Sequence, residues 1–262
     1  MSNNSNKKKK VITEIFKICK DKSYFTFDNK LVKQISEKYS FKNPFDATKF
    51  DNINKLPDIL IKEDFFIIHL GEGNHKFVKG TKKGYHKFEK IYNKDVFEWK
   101  YRKSILNEYD TSESNIISVA NNQRIIHDFL YADIVANPKV YNSKRTKISF
   151  SYNIGTEKII VKNLQMEIDF IMELNNIITI FEGKNRFVPD FAVYQIFIPS
   201  KYFTILKYKD KLSIDSINAC YILREKQEGS SMLRLYQYIF ENEEDMSSIK
   251  LIKNAQYNLR IR

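Results

Sequence analysis

Four charged side chains in the stretch NLQMEIDFIMELNNIITIFEGKNR have the types and spacing for hydrolytic chemistry: Glu167, Asp169, Glu182 and Lys184. Residues 166–174 and 177–184 both read as strands. Asn175-Asn176 between them is an acceptable two-residue turn, because Asn tolerates positive φ. Such a turn fixes the register. Leu174 faces Ile177, so Asp169 faces Glu182 and Glu167 faces Lys184. Side chains alternate faces with a period of two. All four therefore project from one face at the open end of the hairpin, with opposed Cβ atoms roughly 4.5–5.5 Å apart. Opposed carboxylates repel, and a hard divalent cation relieves the repulsion by taking oxygen ligands from both. A lysine beside them can orient an attacking water or help deprotonate it. Carboxylates, lysine and metal together make an apparatus for phosphodiester hydrolysis. The plainer reading is a surface hairpin with a solvated salt-bridge ladder. Against it, three carboxylates crowd one end while the middle of the hairpin is apolar, with Ile168, Phe170 and Phe181 on the other face. The same acid-x-Lys spacing at Asp28-Asn29-Lys30 and Glu98-Trp99-Lys100 closes no apolar strand and faces no carboxylate.

The hairpin needs a sheet and helices to hold it. Ser112 or Ser114 caps a helix carrying Ile116, Ile117, Ala120, Ile126, Phe129 and Leu130. Residues 141–152 are basic and then strand-like, and 219–224, 232–240 and 249–252 read as further strands. Residues 84–109 interleave aromatics with lysines, a pattern that packs inward more often than it tracks a nucleic-acid backbone. Upstream, Ile12, Ile15, Phe16 and Cys19 have helical spacing. Asp28 caps a second helix with Leu31, Val32, Ile35 and Tyr39, and residues 49–60 leave room for a short third. Phe65 to Leu70 is a strand, Gly71-Glu72-Gly73-Asn74 a turn, and His75 to Lys79 the return strand. Helices followed by a hairpin form a winged-helix pattern, which places a helix in the major groove and the wing on the backbone. The alternative is a small structural domain.

A length of 262 residues allows one large or two modest domains. The pattern divides into a disordered basic tail at 1–10, a winged-helix-like domain at 11–82 and a hydrolytic domain at 83–262. Lys+Arg 44 against Asp+Glu 32 gives a net charge of +12, which suits a polyanionic partner; drift in an AT-rich genome is the competing explanation. Cys19 and Cys220 fit neither a disulfide framework nor a metal spacing, so a reducing cytoplasm is the expected setting. No apolar run approaches the roughly 18 residues of a membrane span, and the start has no apolar signal core. His69, His75, His86 and His127 form no zinc pattern and read as ordinary. Residues 241–245 read as a solvated acidic turn. The basic residues at 258–262 are candidate phosphate contacts.

Asp169, twelve intervening residues and then Glu182-Gly183-Lys184 resemble the PD-(D/E)xK nuclease superfamily. The stretch NRFVPDFAVYQIF is similar to the helix that follows the motif strand in its type II restriction endonucleases. FFIIHLGEGNHKFVKG resembles the wing in amino-terminal domains of some restriction enzymes. The resemblance implies an α/β fold, a mixed sheet flanked by helices, preceded by a small winged-helix-like domain. It implies that Asp169, Glu182 and the Gly183 carbonyl hold Mg²⁺ and that Lys184 positions the nucleophilic water. Ile168 stands where the family has proline. The literal Pro189-Asp190 follows the lysine and is not the motif pair. Further candidates are Glu113 as an upstream helical carboxylate, Glu167 as a tuner or second-metal ligand, Arg186 as a phosphate contact and Gln195 as a support. The implied activity is Mg²⁺-dependent cleavage of double-stranded DNA at a short sequence, leaving 5′-phosphates. A homodimer is expected if both strands are cut symmetrically, and a protective methyltransferase is expected as a genetic neighbour. A repair or end-processing nuclease of the same superfamily, or a non-catalytic winged-helix regulator, are the rivals.

Overall fold

The computed structural model describes residues 3–101, 113–141, 144–209, 211–227 and 230–261. The first unit comprises α1 (Asn3–Asp21), β1 (Thr26–Asp28), α2 (Asn29–Lys38), α3 (Asp58–Lys62), β2 (Phe65–Gly71) and β3 (Asn74–Lys79). Its strands form an antiparallel sheet in the order β1-β3-β2. The apolar stripe of α1, Val11, Ile12, Ile15 and Phe16, is fully buried. Phe16 packs edge-on to Phe77, with centroids 5.0 Å apart. Asp28 caps α2 as its position suggests: Leu31 N donates to Asp28 Oδ1 at 2.9 Å.

The basic start is not a disordered tail. Residues 3–10 belong to α1. Lys7 Nζ donates to Ser40 O at 3.2 Å, and Lys8 Nζ lies 3.1 Å from Asp46 Oδ2 and 4.7 Å from the centre of the Phe50 ring. Long stems that cover apolar surface while their heads find acceptors hold this turn in place.

The remaining elements are α4 (Thr81–Gly84), β4 (Tyr85–Lys87), β5 (Val96–Tyr101), α5 (Glu113–Asn122), α6 (Ile125–Tyr131), β6 (Lys139–Tyr141), β7 (Lys144–Ile154), β8 (Glu157–Ile168), β9 (Phe170–Leu174), β10 (Ile177–Lys184), β11 (Asp190–Ala192), α7 (Tyr194–Tyr208), β12 (Ser216–Gln227), β13 (Ser230–Phe240) and β14 (Ile249–Ile261). Seven of the strands form one mixed sheet in the order β5-β14-β13-β12-β10-β9-β6. β10 runs parallel to β12, and β14 parallel to β5. Helices cover both faces. Ile117, Ile126 and Phe129 of α5 and α6 pack with Phe181, Cys220 and Leu235. Phe197, Ile198 and Phe203 of α7 share a core with Ile178 and Ile180. The alternation along β10 thus sends Phe181 to one face and Glu182 and Lys184 to the α7 face. No helix among the described residues is long and apolar enough to cross a membrane.

The long helix expected after residue 112 is two. Arg124 takes a left-handed φ of 61° between α5 and α6. Its guanidinium donates to Ile134 O at 2.8 Å and Ala136 O at 3.0 Å, bonds that accompany the break.

The strand expected over 166–174 is also two. β8 pairs with β7 in a separate ribbon, with Glu167 opposite Arg145, and the chain bends at Asp169 before β9 enters the main sheet. That ribbon meets the first unit. The turn of the β2–β3 hairpin is seated on β8, where Asn163 Nδ2 donates to Glu72 Oε1 at 2.6 Å. Asp190, the acid after Pro189, staples the two units by accepting from Ile53 N at 2.7 Å. The acidic stretch 241–245 is structural: Asp245 Oδ1 accepts from Gly155 N at 3.0 Å and Ser247 N at 2.8 Å, and Lys201 pairs with Glu244.

Candidate active site

The β9–β10 hairpin has the register its turn dictates. Asn175 and Asn176 both adopt positive φ, 51° and 62°, and the pairs run from Leu174↔Ile177 to Phe170↔Phe181. The ladder ends one pair before Asp169 and Glu182. The bend at Asp169 therefore replaces the expected direct opposition, yet both side chains line one cavity of about 840 Å³. Glu167 does not face Lys184. It lines the same cavity but forms an ion pair with Arg145, Nη2 to Oε2 2.8 Å, and is half exposed. The cause is that β8 leaves the main sheet to pair with β7.

Glu182 and Lys184 are held firmly. Lys184 Nζ donates to Glu182 Oε1 at 2.7 Å, and their side chains are only 13% and 16% exposed, respectively. Gln195, in the first turn of α7, donates from Nε2 to the same Glu182 oxygen at 3.3 Å. The Tyr221 hydroxyl, from the strand beside β10, donates to Gln195 Oε1 at 3.4 Å. Gly183 is buried and paired with Ile222 between them. Arg186 follows the end of β10, where alternation stops. It is exposed and outside the cavity lining. The Glu113 side chain lies outside the described residues.

The first unit completes the cavity with residues the sequence did not single out. Asp51, from the irregular segment before α3, lines it and is bound by Lys55 at 2.7 Å. Burial pushes the Asp51 carboxyl up, but the Lys55 hydrogen bond and the charges of Lys55, Lys184 and Lys8 outweigh it and hold the carboxyl below its ordinary value. No local pattern marks Asp51, because its place depends on docking of the two units: Ala192 N donates to Asp51 O at 2.9 Å. His69 and His75 also line the cavity. They are cross-strand partners, a pairing that the Gly71–Asn74 turn makes readable in hindsight. Their Nδ1 atoms lie 3.0 Å apart, and His75 Nε2 meets Asn29 Oδ1 at 2.8 Å.

Burial pushes His69 down to about 3 and His75 down to about 4, from an ordinary 6.5. An unfolded chain takes up these protons as pH falls below about 6.5, whereas the folded chain does not until its own lower values are reached. Their contribution is therefore intact above about 6.5 and is lost progressively as pH falls towards 4. The melting temperature is expected to fall between about pH 7.5 and about pH 4.5, and to fall less in His69→Gln. Equal slopes for the two proteins would contradict this assignment.

Mg²⁺ keeps several waters and commonly takes one or two carboxylates plus substrate phosphate oxygens. The hard oxygens of Asp169, Glu182 and the Gly183 carbonyl fit such an ion. Among the described residues no three His, Cys, Asp or Glu side chains form a closed metal cage, so water and phosphate would complete the shell.

Residues 8–77 match a family described as a domain of unknown function (DUF6996), and residues 80–258 match a second, described as a domain of unknown function (DUF6997). No curated protein matches the chain, and no solved structure does. The second match takes in the mixed sheet up to residue 258, with Asp169, Glu182 and Lys184, and the chain belongs to the DUF6997 family.

Proposed function

We propose that this chain is a Mg²⁺-dependent DNA endonuclease of the PD-(D/E)xK type, acting as a type II restriction enzyme on double-stranded DNA. The observation that carries the reading is the pair Glu182–Lys184, 2.7 Å apart and largely buried at the end of β10, in a cavity that Asp169 also lines. Asp169, Glu182 and the Gly183 carbonyl would hold the ion. When bound, it would polarise the scissile phosphate and lower the pKa of a water. Lys184 would orient the attacking water and, as an ammonium, would stabilise the negative charge that develops as the water loses its proton. Gln195 fixes the Glu182 carboxylate, and Tyr221 fixes Gln195. The net charge of +12 favours a polyphosphate partner. The order α1-β1-α2-α3-β2-β3 of the first unit is compatible with a winged helix, here with the wing's turn seated on β8.

The test is the product pattern on plasmid DNA. Discrete fragments in Mg²⁺ support restriction. A smear, or degradation that requires ends, supports a repair or end-processing nuclease. Tight DNA binding without cleavage in Mg²⁺ or Mn²⁺ would leave a non-catalytic regulator. Within the proposed site, Gln195→Leu is expected to lower the cleavage rate about ten-fold, the size of a lost neutral hydrogen bond to a charged group. An unchanged rate in that variant would remove Gln195 from the machinery.

A further inference from the structure

The cavity wall holds two polar atoms that the hydrolytic chemistry leaves unused. His69 and Tyr194 both line the cavity, with their rings edge to face and centroids 6.0 Å apart. Burial keeps both His69 and His75 neutral near pH 7, so each ring carries one N–H. Asn29 Oδ1 is an acceptor, so His75 Nε2 donates to it at 2.8 Å. His75 Nδ1 is then a bare lone pair, and His69 Nδ1 donates to it at 3.0 Å. The chain of bonds fixes the tautomer of His69 and leaves its Nε2 as an acceptor. No described residue donates to that atom. The Tyr194 hydroxyl likewise has no hydrogen-bond partner among the described residues. Burial raises its pKa far above the ordinary value, so it remains a donor at any working pH. Tyr194 also directly precedes Gln195, the residue that holds Glu182. His69 and Tyr194 therefore bring an acceptor and a donor to the wall of the cavity that Glu182 also lines.

We infer that His69 Nε2 and Tyr194 Oη form a specificity-determining pair that reads the major-groove edge of an adenine beside the scissile phosphate. The inference rests on the nuclease reading above. In the major groove adenine presents a donor, N6–H, next to an acceptor, N7. The N6–H donates to His69 Nε2, and Tyr194 Oη donates to N7. Guanine offers two acceptors, one of which would face the His69 lone pair. Cytosine offers only a donor. Thymine offers an acceptor and a methyl group. N7 and one N6 hydrogen remain available while adenine is paired, so the reading does not require the base to leave the duplex.

The experiment uses the full chain with Mg²⁺ and DNA amplified with 7-deaza-adenine, which lacks the N7 acceptor, against natural DNA and DNA made with 7-deaza-guanine. Wild type is expected to cut the 7-deaza-adenine DNA about ten-fold more slowly and the 7-deaza-guanine DNA at the natural rate, because one base-edge bond is worth about that much discrimination. Tyr194→Phe keeps the buried ring and is expected to lose about ten-fold on natural DNA but nothing further on 7-deaza-adenine DNA. A merely structural role for Tyr194 would slow both substrates alike, and that result would overturn the inference. So would equal wild-type rates on natural and 7-deaza-adenine DNA. Failure to cut natural DNA at all would refute the nuclease reading and this inference with it.

Discussion

Lys184→Ala is expected to slow Mg²⁺-supported DNA hydrolysis by about 10²–10⁴-fold, the range for losing a positioned proton-transfer group. The size follows from how the ammonium is held. It lies 2.7 Å from Glu182 Oε1, with 13% of its side chain exposed, on a strand paired on one side with β12 and on the other with β9. Truncation takes away the group proposed to orient water and leaves the Glu182 carboxylate with the weaker bond from Gln195. Lys184→Arg is not expected to restore the rate. A planar guanidinium needs more width than the compact ammonium and holds its donors in a fixed fork. Lys184→Ala should also lower the melting temperature, because it leaves the largely buried Glu182 carboxylate without its counter-charge, so its rate is to be compared at a temperature where the variant is folded. Full-rate cleavage by Lys184→Ala would show that the residue has no part in the reaction.

Gly71→Ala is expected to destabilise the fold by about 2–4 kcal/mol, combining overpacking with a left-handed backbone that a Cβ disfavours. Gly71 has φ +89°, and a Cβ there would stand 1.9 Å from Lys162 O and 2.8 Å from Leu164 N. Both are backbone atoms of β8 and cannot swing aside. The substitution must push the β2–β3 turn away from β8, and with it His69 and His75 on the cavity wall. The melting temperature should fall by roughly 5–15 °C for a chain of this length, and cleavage should suffer even at temperatures where the variant is folded. A melting temperature within a degree of wild type would mean that the hairpin is not seated against β8.

The core of the site was legible because it is local. An Asn-Asn turn sets the β9–β10 register, and period-two alternation puts Glu182 and Lys184 on one face whatever else the chain does. The end of the strand was not legible. Residues 166–174 alternate as one strand, and only pairing of β8 with β7, more than a dozen residues upstream, decides that the chain bends at Asp169 and carries Glu167 to Arg145. Long-range contacts likewise decide the rest. A helix breaks where Arg124 reaches the carbonyls of Ile134 and Ala136. The lysines of α1 are ordered by acceptors on residues 40–58. Asp51 enters the cavity only through docking against the strand before α7. The histidine pair lay between the two cases. Its register was readable, but its burial, which fixes the tautomers, came from packing of the two units around it.

Hydrolysis of phosphodiester bonds by Asp169, Glu182 and Lys184 with Mg²⁺ is the activity we propose. Its most direct measurement is a single-turnover time course of the purified chain on supercoiled plasmid, with Mg²⁺ in one arm and EDTA in the other, followed by a check of the product ends. Linear and smaller fragments bearing 5′-phosphates, formed with Mg²⁺ and absent with EDTA, are the predicted result. Intact plasmid in both arms, or cleavage that persists in EDTA, would contradict it.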